Sequence, residues 1–276
     1  MRQVLWIGGP PASGKTTIAT RLARRHGLRL YRADTRTWLH RDRAIAAGNR
    51  AARRWEALSA DDRWERSTPG EMLDMSLHAA RGPMVIDDLR ALPESPLIVA
   101  EGSPLPASAV PAGIALSTQA VWLVPTRRFQ AENLAAAGTI GGHAALYRDL
   151  REVIAREARR HRVPVIEIDG SESISATVSA VESMFGAALR AGPCAGTVGE
   201  RQALLREMND AIAEQVRGYF ARPWAEGDPD AVRRTFVCEC GDPACDAELE
   251  LTVGDLAARR ACAPKHVPDA GTRMKE

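Results

Sequence analysis

Gly9-Pro10-Pro11-Ala12-Ser13-Gly14-Lys15-Thr16, followed by Thr17, decides how this chain is read. It satisfies the pattern G-x-x-x-x-G-K-[ST], in which glycines let successive backbone N–H groups curl around a phosphate. The flanking residues fit. Val4-Leu5-Trp6-Ile7 is a short apolar run suited to a buried parallel strand, and Thr16 to Ala23 continues with apolar residues at helical spacing. A helix starting there adds the dipole of its N-terminus to the amide cradle. Lys15 is then expected to reach the β- and γ-phosphates of a nucleoside triphosphate, taken as ATP, while the Thr16 hydroxyl ligates Mg2+. The alternative is a glycine turn that merely starts a helix.

Basic-residue usage points the same way. Of 37 basic residues only Lys15, Lys265 and Lys275 are lysines. A chain that otherwise writes nearly every positive charge as arginine has placed lysine at this internal position, where a compact ammonium fits and a planar guanidinium does not.

The 276 residues leave room for one full domain and a smaller appendage, and 45% hydrophobic with 26% charged residues is the composition of a soluble globular protein. No stretch approaches the roughly 20 apolar residues of a membrane helix, and nothing resembles a signal peptide, so a cytoplasmic location is expected. The net charge of +2 is spread along the chain and gives no reason to expect a nucleic-acid or membrane partner.

Further strands are expected at Leu28 to Tyr31, Leu97 to Ala100, Gln119 to Val124 and Val165 to Ile168, with helices such as Ala144 to His161 and Ile174 to Leu189. Strands alternating with helices imply right-handed crossovers and a parallel sheet covered on both faces. Ligands of such sheets sit at the carboxyl ends of the strands, where Asp34 and Glu101 both fall.

Gly9 to Thr17, Asp34 after the second strand, Glu101-Gly102 after the third, Arg127-Arg128 after the fourth and Asp169-Gly170-Ser171 after the fifth resemble the P-loop kinases that act on nucleotides and other small metabolites. The resemblance covers residues 1–190. It implies an α/β fold with a five-stranded parallel sheet in the nucleoside-monophosphate-kinase arrangement, an acceptor site after the second strand and a mobile lid carrying arginines. In that reading Asp34 takes or positions the proton of the acceptor hydroxyl; otherwise it is an N-cap. Glu101 holds Mg2+ through water or contacts the acceptor, or is a polar strand end. Arg127 and Arg128 neutralise charge on the transferred phosphoryl group, or form the solvated face of a helix. Gly170 lies in the loop expected against the adenine ring.

Residues 36–83 read as inserted helices, with Trp38, Trp55 and Trp64 either gripping the acceptor or packing the insert onto the sheet. Residues 135–143, with three glycines, read as a short flexible lid. The D-G-x-P-R of adenylate kinases is missing after the third strand, so AMP is not the expected acceptor.

Residues 191–199 read as a linker, followed by a helix from Glu200 to Phe220 and a cysteine-rich module running to residue 276. Cys238, Cys240 and Cys245 surround a Gly-Asp-Pro turn. In a reducing compartment such a cluster is more often a metal site than a disulfide, and structural zinc requires a fourth ligand, His266 or Cys262. The tail resembles short C-terminal modules sharing a C-x-C-G-D-P-x-C core, a Leu-Thr pair and a later histidine, which implies His266 as that ligand.

The expectation is therefore an ATP-dependent phosphotransferase acting on a small-molecule acceptor, with ATP, Mg2+ and structural Zn2+. The competing expectations are a nucleotide-binding switch or adaptor that recruits a protein partner through the zinc module, and a kinase-fold toxin or nucleic-acid end-processing kinase.

Overall fold

The computed structural model describes residue 1 and residues 3–261. In chain order, β1 (Val4–Gly8), α1 (Lys15–His26) and β2 (Arg29–Arg32) come first. Four helices follow: α2 (Thr37–Ala46), α3 (Arg50–Ala57), α4 (Pro69–Met75) and α5 (His78–Ala91). Then come β3 (Ile98–Gly102), β4 (Ala120–Pro125), α6 (Arg127–Ala136), α7 (Gly141–Arg160), β5 (Val165–Ile168) and α8 (Ile174–Ala191).

The five strands form one parallel sheet in the order β2-β3-β1-β4-β5. β1, β3 and β4 are buried along their whole length, which explains their unbroken apolar runs. Successive side chains of β1 enter opposite layers. Val4 and Trp6 pack with Trp122, Val85, Leu150 and Ile154, whereas Leu5 and Ile7 pack with Ile18, Leu22, Val178 and Phe185. Each fully buried side chain of this size contributes roughly 1.5–3 kcal/mol. β5 closes one edge, and its residues alternate between exposed and half-buried.

α2 to α5 form the insert between β2 and β3. Trp64 packs against the core on one face of the sheet, while Trp38 and Trp55 are held by other contacts. Trp38 meets the rings of Tyr219 and Trp224, and Trp55 lies edge-on to Trp64 beneath the guanidinium groups of Arg41 and Arg63. Trp64 in turn stacks on His143, with ring centroids 3.5 Å apart. The insert is thus tied to α7 and to the C-terminal part of the chain.

The segment read as a lid is largely helical, with only residues 137–140 between α6 and α7. Gly142 lies in the first turn of α7 against the Trp64 carbonyl, which would be 2.0 Å from a Cβ. Its glycine serves a close approach of two backbones.

α9 (Val198–Phe220) then leads to the antiparallel hairpin of β6 (Arg233–Val237) and β7 (Glu248–Thr252) and to α10 (Val253–Ala261). A capping box between Thr197 and Glu200 starts α9. Leu205 and Met208 of α9 enter the same core as Leu5 and Leu22, while Ile212 and Val216 build a second core with Phe236, Val253 and Leu256. The residues joining α8 to α9 are bonded to the sheet unit: Leu97 N donates to Pro193 O and Ala195 N to Gly27 O, both at 2.8 Å. No helix among the described residues is long and apolar enough to cross a membrane.

Candidate functional site

The loop from Gly9 to Gly14 joins the central strand to α1 at the carboxyl edge of the sheet. Gly9 has φ 148°, and a Cβ there would lie 2.3 Å from the Leu123 carbonyl oxygen, so only glycine lets the chain pass β4 this closely. Gly14 caps α1 with φ 77°, and Ala12 holds a left-handed φ of 64°. A non-glycine residue in that region is sparsely populated, and such strain clusters at ligand sites. From α6, Gln130 Nε2 donates to Pro11 O at 3.1 Å and Asn133 Nδ2 to Ala12 O at 3.4 Å, fixing the loop from outside. Pro10 and Ser13 are buried, Thr17 is exposed, and Ser13 Oγ has no hydrogen-bond partner.

Four of the residues expected at the site converge here. Lys15 is buried, and its Nζ lies 3.4 Å from Asp34 Oδ2. The β1–β3 register sets Ile7 level with Glu101, and the β2–β3 register sets Arg32 level with it from the other side. Glu101 is fully buried. Its Oε1 accepts from Thr16 Oγ1 at 3.2 Å and pairs with Arg32 Nε at 3.3 Å, while Oε2 has no partner. Burial drives the Glu101 carboxyl above its ordinary range against the opposing pull of Lys15. An enclosed carboxylate with one idle oxygen beside a hydroxyl is chemically suited to a hard cation.

Asp34 sits in a single 3-10 turn after β2, and its side chain caps no helix. Its main-chain carbonyl instead accepts from Thr37 Oγ1 at 2.7 Å and from Gln215 Nε2 of α9 at 3.1 Å. Desolvation by surrounding atoms would raise the Asp34 carboxyl, but Lys15, Arg81 and Arg32 outweigh it and hold the group below the ordinary carboxylate range.

Arg81, Arg32, Gln130 and Asn133 were not foreseen from the sequence. Arg81 is buried, donates through Nη2 to Ala33 O, and bonds His40 Nδ1 at 3.2 Å. His40 Nε2 meets Asp88 Oδ2 at 2.8 Å, and Asp88 also receives the Tyr31 hydroxyl and the Arg43 guanidinium. In so arginine-rich a chain nothing local marks Arg81; only tertiary packing brings it beneath Asp34.

Arg127 and Arg128 begin α6, capped by Thr126, with both side chains 79% exposed. Arg127 pairs with Glu152 at 2.9 Å and Arg128 with Glu132 at 3.8 Å. Gly170, with φ 88°, packs against the Phe129 ring, and Asp169 Oδ1 accepts from Ser171 N and Oγ.

A second cluster lies in the C-terminal hairpin. The sulfurs of Cys238, Cys240 and Cys245 are all within 4.8 Å of one another. Cys238 N donates to Ala247 O, and the Asp242 carboxylate and carbonyl accept from Ala244 N and Cys245 N, so the turn itself gathers the thiols. Three sulfurs this close can hold a soft metal such as zinc. Cys262 and His266 lie outside the described residues, and Cys194 is exposed and apart from the cluster.

No family model matches this chain, and no curated protein matches it significantly.

Proposed function

We propose that this protein is an ATP-dependent phosphotransferase of the P-loop kinase type that moves the γ-phosphoryl group to a small-molecule acceptor. The observation that carries the reading is the convergence of Lys15, Thr16, Asp34 and Glu101 around one glycine loop at the carboxyl edge of three adjacent strands. In this reading the Gly9–Gly14 amides and Lys15 receive the polyphosphate. Ser13 Oγ, buried without a partner, is a further donor for it. Thr16 and Glu101 hold Mg2+, the idle Oε2 being the fitting oxygen; the ion supplies charge neutralisation of the phosphates. As Lys15 turns from Asp34 to phosphate, it releases the Asp34 carboxylate, whose basicity rises as its cationic partner leaves. Asp34 then orients the acceptor hydroxyl and takes its proton. Arg81 fixes the turn that carries Asp34. Arg127 and Arg128 could contribute only after leaving Glu152 and Glu132, and Gly170 offers backbone contact to the base. The cysteine cluster holds zinc as a structural ion, with its fourth ligand from His266 or Cys262.

A nucleotide-dependent switch is the second reading, favoured by the Gln215 to Asp34 hydrogen bond, which joins the C-terminal part to the site. Measuring ATP consumption against a panel of nucleosides, sugars and aminoglycosides separates the two. Acceptor-stimulated turnover that disappears in Asp34→Ala supports transfer; no stimulation by any acceptor together with an unchanged basal rate in Asp34→Ala supports the switch.

A further inference from the structure

The cysteine-rich turn grips the loop-bearing unit at two places. On α1, Arg21 pairs with Asp246 at 3.9 Å, and Arg24 Nη1 donates to Ala247 O at 3.2 Å, the same carbonyl that accepts from Cys238 N. Arg24 is 7% exposed, and its Nε and Nη2 have no hydrogen-bond partner. An enclosed guanidinium with two idle donors calls for an anion nearby. Three thiolates around one divalent ion retain one net negative charge, which supplies it.

On α9, Gln202 Nε2 donates to Cys240 O at 3.3 Å, and buried Asn209 pairs with both the N–H and the carbonyl of Val237 at 3.0 Å. The same helix runs on without a break to Gln215 and Glu214, which hold the Asp34 carbonyl and the Arg36 side chain. The span from Gln202 to Gln215 is about 20 Å of continuous helix. α1 likewise carries Lys15 and Thr16 at one end and Arg24 at the other. Two rigid rods therefore connect the thiol cluster to the two halves of the site.

We propose that a soft divalent ion held by Cys238, Cys240 and Cys245, with Arg24 as its charge partner, governs the nucleotide affinity of the Gly9–Thr16 loop through α1 and α9. This rests on the readings of the loop as a nucleotide site and of the cysteines as a zinc site. Without the ion the three thiols share no common ligand, Arg24 loses its counter-charge, and the rods lose a common anchor. Coupling of two sites is reciprocal, so nucleotide must tighten the metal by the same factor.

The test is calorimetric titration of Mg-ATP into the full chain as zinc-loaded protein, after stripping by a chelator that is then dialysed away, and after reloading with zinc. Stripping is expected to weaken nucleotide binding about tenfold, reloading to restore it, and ATP to slow zinc loss to a chelating dye. Arg24→Gln should release zinc faster. Gln215→Ala should keep one zinc equivalent while the effect of zinc on nucleotide affinity shrinks. Equal nucleotide affinity in loaded and stripped protein overturns the coupling and leaves both underlying readings standing. Protein that retains no zinc overturns the metal reading, and loaded protein that binds no nucleotide overturns the loop reading. Should the stripped chain unfold, the two variants decide, because they keep all three cysteines: wild-type nucleotide affinity and wild-type zinc release in both contradict the proposal.

Discussion

Lys15 Nζ stands 3.4 Å from Asp34 Oδ2, so the cation expected to meet phosphate is held by the carboxylate expected to act as base. The pairing helps hold the Asp34 carboxyl below the ordinary carboxylate range and separates when a stronger anion enters. Asp34→Asn should therefore bind Mg-ATP at least as tightly as wild type, since Lys15 no longer has a competing anion. Acceptor-dependent turnover should fall about a hundredfold or more, the scale of a lost general base. Calorimetry and a coupled ATP assay on the same preparations check this; a parallel loss of affinity and turnover would contradict the assigned roles.

Glu101 predicts a stability and function trade-off. Its folded-state pKa is raised by burial, so the stability it contributes is present below its unfolded pKa and disappears as pH rises through the folded value. The ionised form is a cost tolerated at a ligand site. Glu101→Gln keeps the acceptor for Thr16 and removes the buried charge. Its melting temperature should rise by roughly 2–4 °C, corresponding to about 1 kcal/mol, while Mg2+-dependent turnover falls. Thermal denaturation at neutral pH together with a Mg2+ titration is the check.

His40 is the site of an acid-sensitive lock. Its Nδ1 accepts from Arg81 Nε, so that nitrogen carries no proton, and Nε2–H is left to donate to Asp88. Burial lowers its pKa against the pull of Asp88. A histidine with a depressed folded pKa contributes stability that is complete above about 6.5 and is lost as pH falls from there towards the folded value. Melting temperature should accordingly decline as pH falls below about 6.5, and His40→Gln should flatten that part of the profile.

Much of the fold was readable because its central strands are buried on both faces and therefore carry unbroken apolar runs such as Val4 to Ile7 and Val121 to Val124. Lys15 and Thr16 were found by the glycine-loop pattern, and Asp34 and Glu101 by their order along alternating strands, which registers such as Ile7 with Glu101 turn into proximity. Contacts between residues far apart in the chain left no periodic signal: Arg81 on Ala33, Gln130 on Pro11, and Gln215 on Asp34 are single polar residues in a sequence full of them. Gly142 was read as part of a flexible segment because composition alone does not distinguish a hinge from a close approach to the Trp64 carbonyl.

The central claim is that the Gly9–Gly14 amides and the Lys15 ammonium form a polyphosphate cradle. Isothermal titration of Mg-ATP into the wild type and Lys15→Ala tests it most directly. The account predicts about one nucleotide per chain, and an affinity lower by roughly tenfold to a hundredfold without the ammonium, as expected when charged hydrogen bonds worth about 1.5–3 kcal/mol are removed. No binding by wild type, or equal binding by both proteins, would contradict it.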